Sequence, residues 1–439
     1  MERYARQAAI QGWDQQRLAD ATVGIAGSGP VAFLCGLMAA AIGFGHLVLI
    51  GGTEKMEEKV FGLDKLMRSP VGRWADFFRR INPVVEFTPI PHSLSAKLLL
   101  RMPKVDVLIA AGNDYAGLEQ VASISSIPTV AGCASEPLGF WGMPRANELT
   151  ARLCRFPESA LVGQIVAGLL VDEARKALLP LADESGRATE MRALVLPRLP
   201  GWREPDRPRA LRLPFSSLSV VGAGALGTWF GMALGLIDFR GDVHLYDADV
   251  VDETNLNRQV LFSGAVGRPK APVLAGRLQR LFPHMRVNGY GALVDESTER
   301  YVSSCDALAA CPDNFAVRAF LNHTARKRKR ILLSGGTSAT GGSCATYVPG
   351  HTPCLSCLMD IDGLAKRETQ AQGCAQVAQA SVVTSNAITG ALMAWCVQEM
   401  GAGRVRGGIW EYDGRARDER LGVHSLREGC KCHLQRWTT

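Results

Sequence analysis

The run Gly222-Ala-Gly224-Ala-Leu-Gly227 follows an apolar stretch and opens another, which puts its main-chain amides where a phosphate can meet a helix N-terminus. Alone, such a turn suits a dinucleotide oxidoreductase at least as well as an ATP site. The residues after it separate the two. Asp247-Ala-Asp249-Val ends the next apolar run, where a carboxylate can accept hydrogen bonds from ribose hydroxyls. Asn255-Leu-Asn257-Arg258-Gln259, Gly267-Arg-Pro-Lys270 and Pro312-Asp313-Asn314 with Arg318 follow in that order. Together they bring two cations and a carboxylate able to hold magnesium around the expected triphosphate, a set for which a nicotinamide site has no use. Arg258, Lys270 or Asp313 taken singly would read as a surface salt bridge; the ordered set does not.

Cysteine supplies the second kind of chemistry. The start, MERYARQAAIQGWDQ, is charged early and has no apolar core before a small-residue cleavage site, so secretion is not expected and a cytoplasmic location is. Twelve cysteines without a secretion signal argue against a disulfide framework and for metal binding or catalysis. Pro353-Cys354-Leu-Ser-Cys357 has the form of one half of a zinc knuckle, and Cys430-Lys-Cys432-His433 can supply the other half. The alternative is a vestigial pair with no metal. Cys374 lies in the polar stretch ETQAQGCAQVAQAS, an accessible setting that a reactive thiol requires; the alternative is a plain loop cysteine. Cys35, Cys133, Cys154, Cys305, Cys311, Cys344 and Cys396 lie in apolar surroundings and read as buried small hydrophobes.

The elements that must position these residues occur twice. The segment from Val23 to Gly52 lines up with the one ending at Asp247, at an offset of 195 taken from Gly27 and Gly222. Each copy reads as strand, glycine turn, apolar helix and second strand, the opening of a doubly wound parallel sheet. At that offset Gly52 stands where the second copy has Asp247 and Ala75 where it has Lys270, while the likeness of AAGNDYA to AACPDNFA sets Asn113 where it has Asp313. The first half is therefore expected to be a degenerate structural partner. Late apolar helices, from Ala160 and from Asn386, are too continuously apolar for an exposed face and should be buried in the sheets or between the halves. The charged, proline-rich stretch from Ala182 to Pro214 marks the junction, giving an α/β chain of two tandem Rossmann-like halves, 1–205 and 206–439. Val31 to Ile50 is apolar enough to mimic a membrane span, but two glycines and a histidine towards its end, Gly43, Gly45 and His46, favour helix, turn and strand. With 439 residues, 47% apolar and 21% charged, the chain is a soluble globular protein with room for two cores. Its net charge of +7 is scattered, so neither nucleic acid nor membrane is an expected partner.

At these motifs the chain resembles the ThiF-type family, which comprises the adenylyltransferases of thiamine and molybdopterin synthesis (MoeB among them) and the activating enzymes of ubiquitin and its relatives. The resemblance runs from about Leu218 to Cys432 and more faintly through the first half from Arg3. It implies that Asp247 binds ribose, that Asn255, Arg258 and Lys270 contact phosphates, and that Asp313 binds magnesium, with Gly222, Gly224, Gly227, Asp249, Gln259 and Asn314 completing the ATP site. The RYARQ start is similar to a segment whose arginine reaches across to the partner's active site, a role that falls to Arg6. The family often carries a second C-x-x-C where this chain has C-x-C, which leaves the last zinc ligand open between Cys432 and His433 beside Cys354, Cys357 and Cys430. Cys374 aligns with the cysteine of a crossover loop, about 358–380, that takes the activated C-terminus as a thioester. A silent half fused to an active half resembles activating enzymes for ubiquitin-like modifiers, most nearly the compact bacterial kind encoded beside a modifier and a conjugating enzyme in a defence operon of the Bil type. The partners implied are a ubiquitin-like modifier and a conjugating enzyme. No ubiquitin-fold domain is recognisable after the cysteine tail, so that enzyme would need another surface. The alternative is an adenylyltransferase for a sulfur-carrier protein or a peptide C-terminus; a non-catalytic scaffold is disfavoured by the complete second set.

Overall fold

The computed structural model describes residues 2–51, 62–112, 126–134, 138–142, 158–182, 184, 191–195, 215–371, 380–402, 408–422, 430 and 432. Short apolar runs form central strands buried on both faces, and with more exposed outer strands they assemble into two sheets of one design. The first comprises β1 (Thr22–Ala26), β2 (His46–Ile50), β3 (Glu86–Ile90), β4 (Val107–Ala111), β5 (Thr129–Ala134), β6 (Leu138–Gly142) and β7 (Met191–Val195), in the order β3-β2-β1-β4-β5-β6-β7. The second comprises β8 (Ser217–Val221), β9 (Asp242–Tyr246), β10 (Arg286–Tyr290), β11 (Ala307–Ala310), β12 (Ile331–Thr337), β13 (Gly341–Tyr347), β14 (Ile409–Asp413) and β15 (Asp418–Gly422), in the order β10-β9-β8-β11-β12-β13-β14-β15. In each the first five strands in space are parallel and the rest antiparallel. The strand order reverses between β1 and β4, and again between β8 and β11. Such switch points open a crevice at the carboxyl ends of the strands.

The longer helices are α1 (Gly29–Ile42), α2 (Val71–Ile81), α3 (Ala160–Leu178), α4 (Ala225–Leu236), α5 (Lys270–Leu281), α6 (Phe315–Arg328), α7 (Ile361–Ala371) and α8 (Val383–Gly401). Gly43, at φ +89°, caps α1 and turns the chain into β2, so Val31–Ile50 is a helix followed by a strand. Among the described residues no helix is long and apolar enough to cross a membrane. The late apolar helices are α3 and α8, the second starting three residues before Asn386. They are buried on almost every side because they pack on each other between the halves. A Cβ on Gly168 of α3 would lie 2.7 Å from Ile388 of α8, so glycine lets the helices approach. Gln164 Nε2 donates to Ala387 O at 2.9 Å and Trp229 O at 3.3 Å, fixing the register across the junction.

Strand register corrects the repeat alignment. Val23 pairs with Val107 as Leu218 pairs with Ala307, so the offset of 195 at the glycine turn has grown to 200 by β4 and β11. Growth begins early: Gly27 N–H donates to Ile50 O as Gly222 N–H donates to Tyr246 O, which makes Gly51, not Gly52, the counterpart of Asp247. Pro70 and Pro269 both cap their helices, which makes Val71, not Ala75, the counterpart of Lys270. The chemical contrast is unchanged, since neither residue is charged. Gly52, Asn113, Cys154 and the proline-rich centre of the junction lie outside the described residues. The expected crossover loop at 358–380 is also corrected in part, because Leu355–Met359 and α7 make its first half helical.

Candidate active site

At the carboxyl ends of β8 and β11 the switch point opens into a cleft of about 330 Å³. Gly222 and Gly224, Asp247 and Asp249, Asn255, Arg258 and Gln259, Lys270, Asp313 and Asn314 all line it, and so does Arg6 from the other half. Gly227 does not. A Cβ there would lie 2.0 Å from Gly222 O, so its part is close packing of α4 on the turn. Gly222 has φ +98° and a Cβ on it would strike Cys311 O at 2.5 Å, whereas a Cβ on Gly224 would meet only Gln259 Nε2 at 3.7 Å. The second glycine thus leaves open space in front of the N-terminus of α4.

Asp247 is held by Ala223 N–H at 2.7 Å and Asp249 N–H at 2.9 Å, and burial raises its pKa. Each carboxylate oxygen keeps a second lone pair for a hydroxyl. Asn255 belongs to a 3-10 turn, Glu253–Asn255, closed by a capping box in which Asp252 N–H donates to Asn255 Oδ1. Arg258, 7% exposed, donates to Thr254 O at 2.7 Å and Asn257 Oδ1 at 2.8 Å. Burial first, and then the like charge of Arg6, push its pKa down to about 10. A cation so desolvated is poised for an anion, because its field is little screened. Lys270 Nζ lies 2.8 Å from Asp249 Oδ2. Gln259 Oε1 is buried and has no hydrogen-bond partner among the described residues, which leaves a lining group open to a ligand. Arg318 differs from expectation: it lines the cleft, but its guanidinium donates to Pro312 O at 2.5 Å, to Ser334 Oγ at 3.2 Å and to Gly335 O, which makes it a brace for the Asp313 turn.

Several site residues have no role assigned from the sequence. Gln7 is fully buried and accepts from Asn257 Nδ2 at 2.9 Å, which seats the N-terminal segment on the Asn255–Gln259 turn beside Arg6. Ser381 N–H donates to Arg6 O at 3.2 Å, and Ser381 and Asn386 line the cleft. Tyr246, Leu293 and Val294 give it an apolar wall, with Tyr290 stacked on Tyr246 at 5.0 Å. The corresponding place in the first half is filled. Glu158, one residue before the cap of α3 as Ser381 is before that of α8, accepts from Val31 N–H at 3.0 Å in the first turn of α1. A Cβ on Gly29 would touch its carboxylate at 2.3 Å, and a Cβ on Gly51 would lie 2.0 Å from Gly27 O.

Cys354, Cys357, Cys430 and Cys432 bring four sulfurs within 4.8 Å of one another. The separations are 3.7 Å for Cys354–Cys430, 3.8 Å for Cys357–Cys432 and 3.9 Å for Cys354–Cys357. A tetrahedron with zinc–sulfur bonds of 2.3 Å has edges of about 3.8 Å, so the set could hold zinc and is too open for disulfides. Cys432 completes it; His433 lies outside the described residues, as does Cys374. Of the cysteines read as core, Cys35, Cys133, Cys305, Cys311 and Cys344 are buried, and Cys396 is half-buried.

The model of the ThiF family matches residues 197–432, more than half of the chain. Among curated proteins, the NEDD8-activating enzyme E1 catalytic subunit of Saccharomyces cerevisiae is 31% identical over 32% of this chain and 50% of its own length. The adenylyltransferase and sulfurtransferase MOCS3 of Sus scrofa is 30% identical over 58% of this chain and 56% of its own. The chain thus spans about half of the length of these relatives. Among solved structures, E. coli MccB with AMPCPP and MccA is 20% identical over 50% of this chain and 67% of that one, with a TM-score of 0.44. The second sheet of the present chain, its cysteine tail and every residue of the cleft but Arg6 fall within the span that the family model matches, and the chain belongs to the ThiF family.

Proposed function

We propose that the second half adenylates the C-terminal carboxylate of a ubiquitin-like modifier and passes it to Cys374 as a thioester. What supports this reading above all is the convergence of Arg6, Arg258, Lys270 and Asp313 on one cleft in front of a glycine turn. The modifier's carboxylate, ionised at pH 7 and needing no base, attacks the α-phosphorus of ATP. The bond from α-phosphorus to its bridging oxygen breaks, and pyrophosphate departs. Arg258 and Lys270, with Arg6 from the first half, set fixed positive charge where negative charge builds on the departing oxygens. Asp249 holds the Lys270 ammonium in place before ATP arrives. Asp313 is the residue that would hold magnesium, which when bound neutralises phosphate charge; a single protein carboxylate beside phosphates is a usual magnesium environment. The apolar wall of Tyr246, Leu293 and Val294 suits a purine ring, and Asp247 the ribose. In the second step the Cys374 thiolate attacks the acyl carbon, AMP leaves, and a thioester remains.

The first half is silent in this account. Glu158 sets a carboxylate at the N-terminus of α1, where a phosphate would need to sit, and Gly51 offers no ribose acceptor. The cysteine set holds zinc and ties Cys430 and Cys432 to Cys354 and Cys357. Transfer to a conjugating enzyme distinguishes this reading from a sulfur-carrier adenylyltransferase, which similarity to MOCS3 keeps as the second candidate. A neighbouring pair of modifier and conjugating-enzyme genes in a defence operon would favour the first.

The test is incubation of the full chain with ATP and candidate small proteins. Wild type should catalyse exchange of labelled pyrophosphate into ATP and give a reductant-sensitive adduct on a non-reducing gel. Cys374→Ala should keep the exchange and lose the adduct. An adduct that persists in Cys374→Ala moves the nucleophile elsewhere, and exchange with no adduct in wild type favours the sulfur-carrier or peptide reading.

A further inference from the structure

The turn Pro312-Asp313-Asn314 joins β11 to α6 and carries the carboxylate assigned to magnesium. Its two sides are braced differently. On the strand side, Arg318 Nη2 donates to Pro312 O at 2.5 Å. On the helix side, three amides of the first turn of α6 need acceptors. Asn314 Oδ1 takes the Val317 N–H at 2.9 Å, as an N-cap does. The other two go to a residue far along the chain: Phe315 N–H donates to Glu368 Oε2 at 2.6 Å and Ala316 N–H to the same oxygen at 3.3 Å.

Glu368 belongs to α7, which lies antiparallel along α6 and ends at Ala371, three residues before Cys374. The other end of α7 is tied down independently. Asp362 Oδ1 is 2.8 Å from His323 Nε2, Asp362 Oδ2 accepts from Ser356 Oγ at 2.8 Å, and Ile361 is fully buried. Glu368 is therefore not what keeps α7 on the protein. Its carboxylate is spent on the helix end next to Asp313, where charge-assisted bonds and the helix dipole both favour it.

We propose that Glu368 is a positioning residue for the Asp313 turn: from the crossover helix it fixes the N-terminus of α6 and thereby the direction in which Asp313 presents its carboxylate to magnesium. The proposal rests on the reading of the cleft as an ATP site. It makes metal binding in the adenylation cleft depend on docking of the helix that leads to Cys374.

Calorimetric titration of ATP into the full chain, once with EDTA and once with excess Mg2+, separates the two claims. Wild type should bind more tightly with Mg2+, and Asp313→Ala should lose that gain. Glu368→Ala should keep its affinity in EDTA within about twofold yet lose about fivefold or more of the Mg2+-dependent gain, the scale of a lost helix-end anchor. Glu368→Gln keeps an acceptor oxygen without the charge and should recover part of the loss; it also decides the matter if the alanine variant does not fold. A merely structural role would lower affinity in EDTA and Mg2+ alike, together with the melting temperature. That pattern, or an undiminished gain in both Glu368 variants, overturns the proposal. A gain that survives Asp313→Ala instead overturns the reading of the cleft on which it stands.

Discussion

Arg6 comes from the first half's N-terminal segment and lines the second half's cleft, near enough to Arg258 to press on its charge. On the proposed reading, a cation there would act chiefly on charge that develops as pyrophosphate departs. Arg6→Ala should therefore slow pyrophosphate exchange at saturating ATP by about 10- to 100-fold while changing ATP affinity much less; an unchanged rate would remove Arg6 from the chemistry. Glu158 makes a different prediction. Burial raises its carboxyl from 4.5 to about 7, against the opposing pull of the Val31 amide and Arg68. A raised folded-state pKa stabilises the fold below pH 4.5 and loses that contribution as pH rises to 7. Relative to Glu158→Gln, wild-type stability in denaturant titrations should fall across that window by an amount on the order of 3 kcal/mol. Parallel profiles for the two proteins would show that Glu158 is not desolvated against α1. The lining residues were legible in sequence because nucleotide chemistry restricts both their types and their order. Glu158, Gln7, Ser381 and Glu368 were not, since each meets its partner across 50 or more residues with no spacing to announce it.

Among elements, the cysteine tail carries the sharpest expectation. If Cys354, Cys357, Cys430 and Cys432 close around one zinc, the metal ties residues about 75 positions apart and its binding energy is folding energy. Purified protein should contain about one zinc per chain, and Cys354→Ser should lower both the zinc content and the melting temperature by several degrees. Metal-free protein of undiminished stability would take the site out of the account. The periodic signals at this scale were good guides where an element is wholly buried: α1, α3, α4 and α8 were all visible as continuous apolar runs. They failed where packing depends on neighbours. α7 is polar over most of its length and is helical because α6 supports it, so its sequence read as loop. The repeat offset misled in the same way, since residues inserted between strands shift an alignment but leave the sheet register intact.

For the whole molecule, the two halves share a core. α3 and α8 are buried against each other, and Glu173 binds Arg417 at 2.6 Å and Lys176 at 2.9 Å, while Lys176 reaches Gly414 O at 2.5 Å across the same boundary. Buried ions so placed fix one arrangement of the halves, because any other leaves charge unpaired. That fixed arrangement brings Arg6 and Gln7 to the Asn255–Gln259 turn, so one half completes the site that the other builds. The duplication itself was plain in the sequence; the use of the first half as a donor of side chains became legible only with the halves in contact. The central claim, that one of two homologous halves is the ATP site, is tested most directly by the stoichiometry of ATP binding in the presence of Mg2+. Calorimetry should give one ATP per chain, with affinity weakened about tenfold or more by Lys270→Ala and unchanged by Val71→Ala at the corresponding place in the first half. Two ATP per chain, or a single site that responds to Val71→Ala and not to Lys270→Ala, would contradict it.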